Sequence, residues 1–261
     1  MSKTLISFDM FEINHLMRLV YQPIVDKEQS LQKFEVLLRL DTDPPISPQS
    51  LVDWAELEVE KMVFLDLAVL KRFYLDVQQL FYANSQFQSV TFALNVSPLT
   101  LGIDTRYVDE VTRMRHLHPE VLVEIEVLET KPNPFHKATL RENLKTLANL
   151  SIDLSIDDFG NGFDSMIKIT DLYHNVKLDG QLIESVHFDR KHFEVTCSLI
   201  TLCHKLGKTV TAEKVECQHQ LDILCSLNCD YYQGYYFSKP LELEHVRQLP
   251  LHTKPYKRHL A

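Results

Sequence analysis

The chain has 261 residues, 45% apolar and 24% charged, with 27 Lys+Arg against 36 Asp+Glu and a formal net charge of −9. That balance is ordinary for a soluble globular protein and argues against one that coats large nucleic acid by charge alone. It still allows a nucleotide substrate, because bound metal ions can reverse the local sign.

The opening Met1-Ser2-Lys3-Thr4 carries a lysine but no apolar core and no small-residue cleavage site, so no export signal is expected. No stretch approaches the roughly 18 consecutive apolar residues of a membrane span. A cytoplasmic protein without a membrane partner is the expectation.

Leu19 to Val25 and Phe34 to Leu40 read as strands, and Asp43 to Pro48, with three prolines, as a loop. A long helix is predicted over Leu51 to Leu80, with Ser50 or Asp53 near its start. Further strands are Val90 to Val96, Val121 to Val127, Ile152 to Ile156, Tyr173 to Leu178, Thr209 to Ala212 and Tyr231-Tyr232. Each is short and rich in β-branched or aromatic residues, as buried parallel strands are. Helical spacing runs through Leu140 to Leu150, Phe193 to Leu206 and Gln218 to Leu227.

Strand and helix alternate over about eight units, which suits a parallel barrel or an open doubly wound sheet. No G-x-G-x-x-G follows a strand, which favours the barrel. A barrel takes about 250 residues and leaves no room for a second sizeable domain. Cys197, Cys203, Cys217, Cys225 and Cys229 all lie in the last third. An odd number without a C-x-x-C pair reads as free core thiols in a reducing compartment; His204 and His219 nearby make zinc the weaker alternative.

The sharper signal is polar. Strands buried on both faces should carry no charge without a reason, yet nearly every strand here carries a polar residue. They are Glu35, Asn95, Glu124 with Glu126, Asp157-Asp158, Lys177 with Asp179, Glu213 and Gln233. In a closed barrel the strand ends meet at one mouth. Ionised carboxylates gathered there require cations, and oxygen ligands with one amide suit magnesium or manganese. Asp157-Asp158 is placed to serve two ions, the usual arrangement for attack on a phosphodiester. Taken singly, Glu124 reads better as solvent-facing or ion-paired, Asn95 as a satisfied buried amide, and Asp158 to Gly162 as a turn. The series of one ligand per strand favours the catalytic reading.

At these residues, from about Leu19 to Leu243, the chain resembles the EAL domain, the bacterial cyclic di-GMP phosphodiesterase family. Gln22-Pro23-Ile24 resembles its opening strand, Glu35-Val36-Leu37 stands at the name-giving position, and Asn95-Val96-Ser97-Pro98 resembles N-x-S-P. Glu126-Val127-Leu128-Glu129 resembles E-(I/L)-T-E, Asp157 to Gly162 the DDFG-x-G segment, and Lys177-Leu178-Asp179 K-(I/L)-D. Ala212 to Glu216 resembles A-E-G-V-E, and Gln233 to Pro240 the family's C-terminal signature.

The resemblance implies an α/β fold, a single variant TIM (β/α)8 barrel with one antiparallel strand. It would span residues 19–247, with 1–18 as lead-in and 248–261 as tail. It implies hydrolysis of one phosphodiester of cyclic di-GMP to linear pGpG with two divalent cations, Mg2+ or Mn2+. The first would be held by Glu35, Asn95, Glu126 and Asp157, the second by Asp157, Asp158 and Glu213. Lys177 would contact the nucleophilic water, its own charge disfavoured beside two dications. Arg39, Gln22, Leu37, Gln233, Tyr235 and Pro240 would lie against substrate, Gln233 beside the second ion's water shell. Glu129 would hold the loop after Asp158. Tyr235 and Phe237 read equally as guanine-stacking or core residues.

Four residues depart from the family pattern: Leu128 for Thr, Lys214 for Gly, Leu40 for Trp and Glu60 for Gly. At 214 a side chain strains the turn if φ is positive, or adds positive charge near phosphates. The rival readings are a non-catalytic cyclic di-GMP receptor or interaction module on the same scaffold, and a two-metal barrel hydrolase for another phosphodiester. A homodimer is implied. With no fused sensor domain expected, control would come from substrate level, dimerisation, an unidentified regulatory protein or expression. The basic tail, Lys254 to His259, reads as a solvated end or a partner contact.

Overall fold

A computed structural model of the chain describes residues 9–83, 85–128, 137–160 and 172–249. Helix α1 (Met10–Leu16) opens on a capping box: the Glu12 amide donates to Asp9 at 2.8 Å, and the Asp9 amide donates to the Glu12 carboxylate at 3.1 Å. Strands β1 (Met17–Asp26) and β2 (Leu31–Leu40) follow as an antiparallel hairpin.

From β2 onward each strand pairs in parallel with the next. They are β3 (Thr91–Val96), β4 (Leu122–Leu128), β5 (Asp153–Phe159), β6 (Asn175–Leu178), β7 (Thr209–Ala212) and β8 (Tyr231–Gln233). Strand β8 returns to β1, which runs antiparallel to both of its barrel neighbours and closes the ring. The expected barrel with one antiparallel strand is what forms. Short β9 (Leu241–Glu242) adds to β1 beside Val20 and Tyr21.

The crossings are α2 (Pro48–Ala55), α3 (Val59–Ala83), α4 (Pro98–Ile103), α5 (Arg106–Leu117), α6 (Lys137–Asn149), α7 (Gly180–Glu184), α8 (Arg190–Lys205) and α9 (Gln218–Ser226). Helix α10 (Leu243–Arg247) follows β9. The single helix expected over 51–80 is two helices, because the chain turns at Glu56–Glu58 between them. Ser47 rather than Ser50 caps α2, with Pro48 in its first turn. Helix α5 went unread although Tyr107, Val108, Val111 and Met114 form its buried stripe.

Outward-facing strand residues build the main core. Tyr21, Phe34, Phe73 and Phe92 pack with ring centroids 5.4–6.3 Å apart and seat α3 on the barrel. A second core joins α1, α2 and α3 to the hairpin end through Ile13, Met17, Leu40, Trp54 and Met62. All five cysteines are free, but only Cys203 and Cys229 are core thiols; Cys197 and Cys217 are half-buried and Cys225 is exposed. Among the described residues no helix is long and apolar enough to cross a membrane.

Two details of packing matter beyond the core. Buried Asp66 on α3 accepts the Ser97 amide at 3.1 Å, tying α3 to the turn that follows β3. Gly234, after β8, lies against the Val215 backbone; a Cβ there would sit 2.1 Å from the Val215 carbonyl oxygen. Val215 and Gln233 are joined by an amide–carbonyl bond of 2.9 Å across that contact.

Burial raises the Asp66 pKa to about 7, against the pull of its hydrogen bonds. An unfolded carboxylate titrates near 3.9, so the folded state gains from the protonated form. That stability is full below about pH 4 and lost as pH rises through about 7. Relative to Asp66→Asn, which retains an acceptor oxygen, the wild type should lose up to a few kcal/mol between pH 5 and pH 8. Parallel denaturation profiles for the two proteins across that range would show the effect to be absent. Gly234→Ala should destabilise by about 2 kcal/mol or more, a fall in Tm of roughly 4–8 °C measured by calorimetry.

Candidate active site

Side chains two apart on a strand share a face. The parallel barrel strands therefore send Glu35, Asn95, Glu126, Asp157 and Lys177 inward near their C-terminal ends, with Glu213 just past β7 and Gln233 ending β8. Register sets Asn95 opposite Glu126, and Gln22 on β1 opposite Glu35.

Lys177 is the hub. Its Nζ lies 2.7 Å from Glu213, 2.8 Å from Glu126, 3.1 Å from Asp157 and 3.4 Å from Glu35. Asn95 Nδ2 donates to Glu35 at 2.8 Å, and Gln233 Nε2 donates to the other Glu35 oxygen. Gln233 also donates to Gln22 at 3.3 Å, and Gln22 to the Ser238 carbonyl at 3.4 Å. These donors come from four separate strands and converge only because the barrel closes.

Asp157 and Asp158 need a further device. A regular strand would turn Asp158 to the outer face. Between β5 and β6 the register shifts, so that two residues of β5 oppose Lys177 alone, and Asp158 takes φ +55. This bulge re-aims consecutive carboxylates to one side. The result is two groups of candidate ligand atoms, each lying within 4.8 Å: Glu35, Glu126, Asp157, and Asp157, Asp158, Glu213. Asp157 belongs to both.

The charge does not balance. Five carboxylates surround one ammonium. Burial raises Glu126 well above the carboxylate range and Glu213 to about 8; Lys177 opposes both shifts, while neighbouring acids add to them. Asp158 rises to about 6 through burial, Asp157 and Asp179. Glu35 alone is lowered: burial raises it, but Lys177, Gln233 and Asn95 outweigh burial. Burial disfavours the Lys177 charge, yet Asp157, Glu126, Glu213 and Glu35 together hold its pKa above the ordinary value. The expectation of a disfavoured Lys177 charge is thus reversed for the carboxylate set by itself; it requires added positive charge.

Buried Asn95 Oδ1 and Glu126 Oε1 have no hydrogen-bond partner. Orphaned buried acceptors are unusual, and these are oxygens of the two ligand types suited to a hard cation. The carboxylate groups Glu35, Glu126, Asp157 and Asp157, Asp158, Glu213 fit a divalent cation.

The remaining predicted residues scatter around the rim. Arg39 is half-buried and donates to the Leu38 carbonyl at 2.7 Å. Leu37 shares the face of Glu35. Tyr235 is exposed and Pro240 half-buried. Phe237 is core, packed on Tyr232 and Tyr236, which removes it from the stacking alternative. Glu129, Asn161 and Gly162 lie outside the described residues. Asp179 caps α7 by accepting the Gln181 amide at 2.7 Å.

One set was missed. Beneath the ligands, Glu124 pairs with Lys33 and accepts from Asn175 at 3.3 Å, and Asn175 bonds Thr211 at 3.2 Å. Glu124 is therefore the ion-paired residue of the two options. The readable signal was an inward polar residue two positions before each of Glu35, Glu126, Lys177 and Glu213.

The EAL-domain family model matches residues 9–240. Cyclic di-GMP phosphodiesterase NbdA of Pseudomonas aeruginosa is 31% identical over 87% of this chain, and cyclic di-GMP phosphodiesterase PdeB of Shewanella oneidensis 28% over 89%. The chain spans only 29% and 27% of those two proteins' lengths. An EAL-domain protein from Listeria monocytogenes superposes with a TM-score of 0.71 at 27% identity, covering 93% of this chain and 98% of that one. The EAL enzyme Bd1971, bound to cAMP and cyclic di-GMP, superposes with a TM-score of 0.81 at 24% identity, over 94% and 67%. With its family match, its barrel and its strand-end residues in agreement, the chain belongs to the EAL-domain family.

Proposed function

We propose that the chain hydrolyses one phosphodiester bond of cyclic di-GMP to linear pGpG, using two divalent cations, Mg2+ or Mn2+. The observation that carries this reading is the pair of carboxylate groups sharing Asp157, with unpaired Asn95 and Glu126 oxygens beside them. Two relatives, NbdA and PdeB, are named cyclic di-GMP phosphodiesterases.

Two bound dications would supply Lewis-acid charge for the phosphate and an acidified water for in-line attack. Glu35, Asn95, Glu126 and Asp157 would hold one and Asp157, Asp158 and Glu213 the other. Lys177 Nζ, buried and within 3.4 Å of four carboxylates, would lose the support for its charge once those carboxylates are neutralised. Burial then favours the free amine, which can take the proton of the attacking water. Asn95 and Gln233 donate to the two Glu35 oxygens and would hold it in one orientation, with Gln22 accepting from Gln233. Arg39, at the rim on β2, would meet a substrate phosphate.

Purified protein given cyclic di-GMP with Mg2+ or Mn2+ should release pGpG, and EDTA should stop it. No product with either ion at high enzyme concentration would overturn the reading, and tight nucleotide binding without turnover would favour a receptor. Glu35→Ala and Asp157→Asn should each lower kcat by about 100-fold or more with circular dichroism unchanged. Full activity in either variant would show that the ligands are assigned wrongly.

A further inference from the structure

The turn after Glu213 holds a second lysine that the mechanism above does not use. Lys214 has φ +51, a conformation glycine adopts freely and other residues adopt at a cost of about 1–2 kcal/mol. Its side chain is exposed but seated. A Cβ on Gly180 would lie 2.4–2.7 Å from Lys214 Cδ, Cγ and Cε. The lysine stem therefore lies across the bare backbone of Gly180, next to Asp179. The charge at the end of that stem acts on Asp158, opposing the effects of burial, Asp157 and Asp179. Asp158 belongs to the group with Asp157 and Glu213, not to the group with Glu35 and Glu126.

We propose that Lys214, directly after Glu213 and with its stem fixed on Gly180, sets the metal affinity of the second group: its ammonium selectively weakens the second divalent ion. This rests on the two-cation reading. The ammonium adds positive charge next to Glu213 and repels an incoming dication. Coulomb repulsion falls with distance and is screened by salt at an exposed side chain, so the deeper Glu35 group is affected less. The two ions then bind with unequal affinity, and the second is the one that free metal concentration controls.

The test is Mn2+ titration of the full chain without nucleotide, by calorimetry and by the spin-resonance signal of free Mn2+. Wild type should show one stronger and one weaker site. Lys214→Gln, which keeps most of the stem and loses the charge, should tighten the weaker site about three- to tenfold and leave the stronger one unchanged. Lys214→Arg should stay within about twofold of wild type, and the Gln gain should shrink as KCl rises. Two sites with affinities unchanged in Lys214→Gln would overturn the role of Lys214 alone, as would an equal gain in Lys214→Arg. Fewer than two Mn2+ in wild type and Lys214→Gln alike would overturn the two-cation reading with it.

Discussion

The Lys177 ammonium amid four carboxylates is the interaction on which the rest of this structure depends. A buried charge needs a partner, and Lys177 has four: Glu35, Glu126, Asp157 and Glu213. The partners, with Asp158, outnumber it. The layer beneath shows what balance looks like, with Lys33 paired to Glu124, and Asn175 and Thr211 satisfying each other. That lower layer closes the barrel floor with its charges matched. The upper layer is left acidic, so it binds cations or protons by necessity. Glu126 and Glu213 show the second outcome in their raised pKa values.

Some of the backbone irregularity lies where this layer is assembled. Asp158 and Lys214 take positive φ, and Gly234 allows the closest backbone approach near Gln233. Each sits at the end of a strand and changes the direction of the next side chain. Sparsely populated conformations persist where the surroundings over-determine them. Here the surroundings are the barrel strands themselves, each paired on both sides. The strain at Asp158 is the condition for two consecutive carboxylates to face one way.

Much of this was legible in the sequence for a physical reason. A charge in a β-branched strand conflicts with burial, and the conflict is local, so Glu35, Asn95, Glu126, Asp157 and Lys177 stand out without any structure. Alternation alone leaves a closed barrel and an open sheet both possible; the missing G-x-G-x-x-G favours the barrel. The less legible parts depend on contacts between segments. The break at Glu56–Glu58 interrupts a continuous helical pattern, and nothing in residues 51–80 alone announces it. Phe237 and Tyr235 look alike in sequence, and only packing against Tyr232 separates core from surface. The Asp158 bulge is a matter of register with β6, which no single strand encodes.

The four departures from the family pattern divide on the same principle. Leu40 shares a core with Trp54, so an aromatic ring stands in that cluster although not at position 40. Glu60 meets Arg106 through two hydrogen bonds of 2.9 and 3.0 Å, joining α3 to α5 at the surface. Leu128 stands in register with Asp157 at the end of β4, where its side chain adds no charge. Three departures are thus absorbed by packing or by solvent-facing partners. Lys214 differs because glycine would relieve its backbone and no carboxylate forms a salt bridge with it among the described residues. Its stem is accommodated at Gly180, while its charge is spent on the acidic layer that organises everything else.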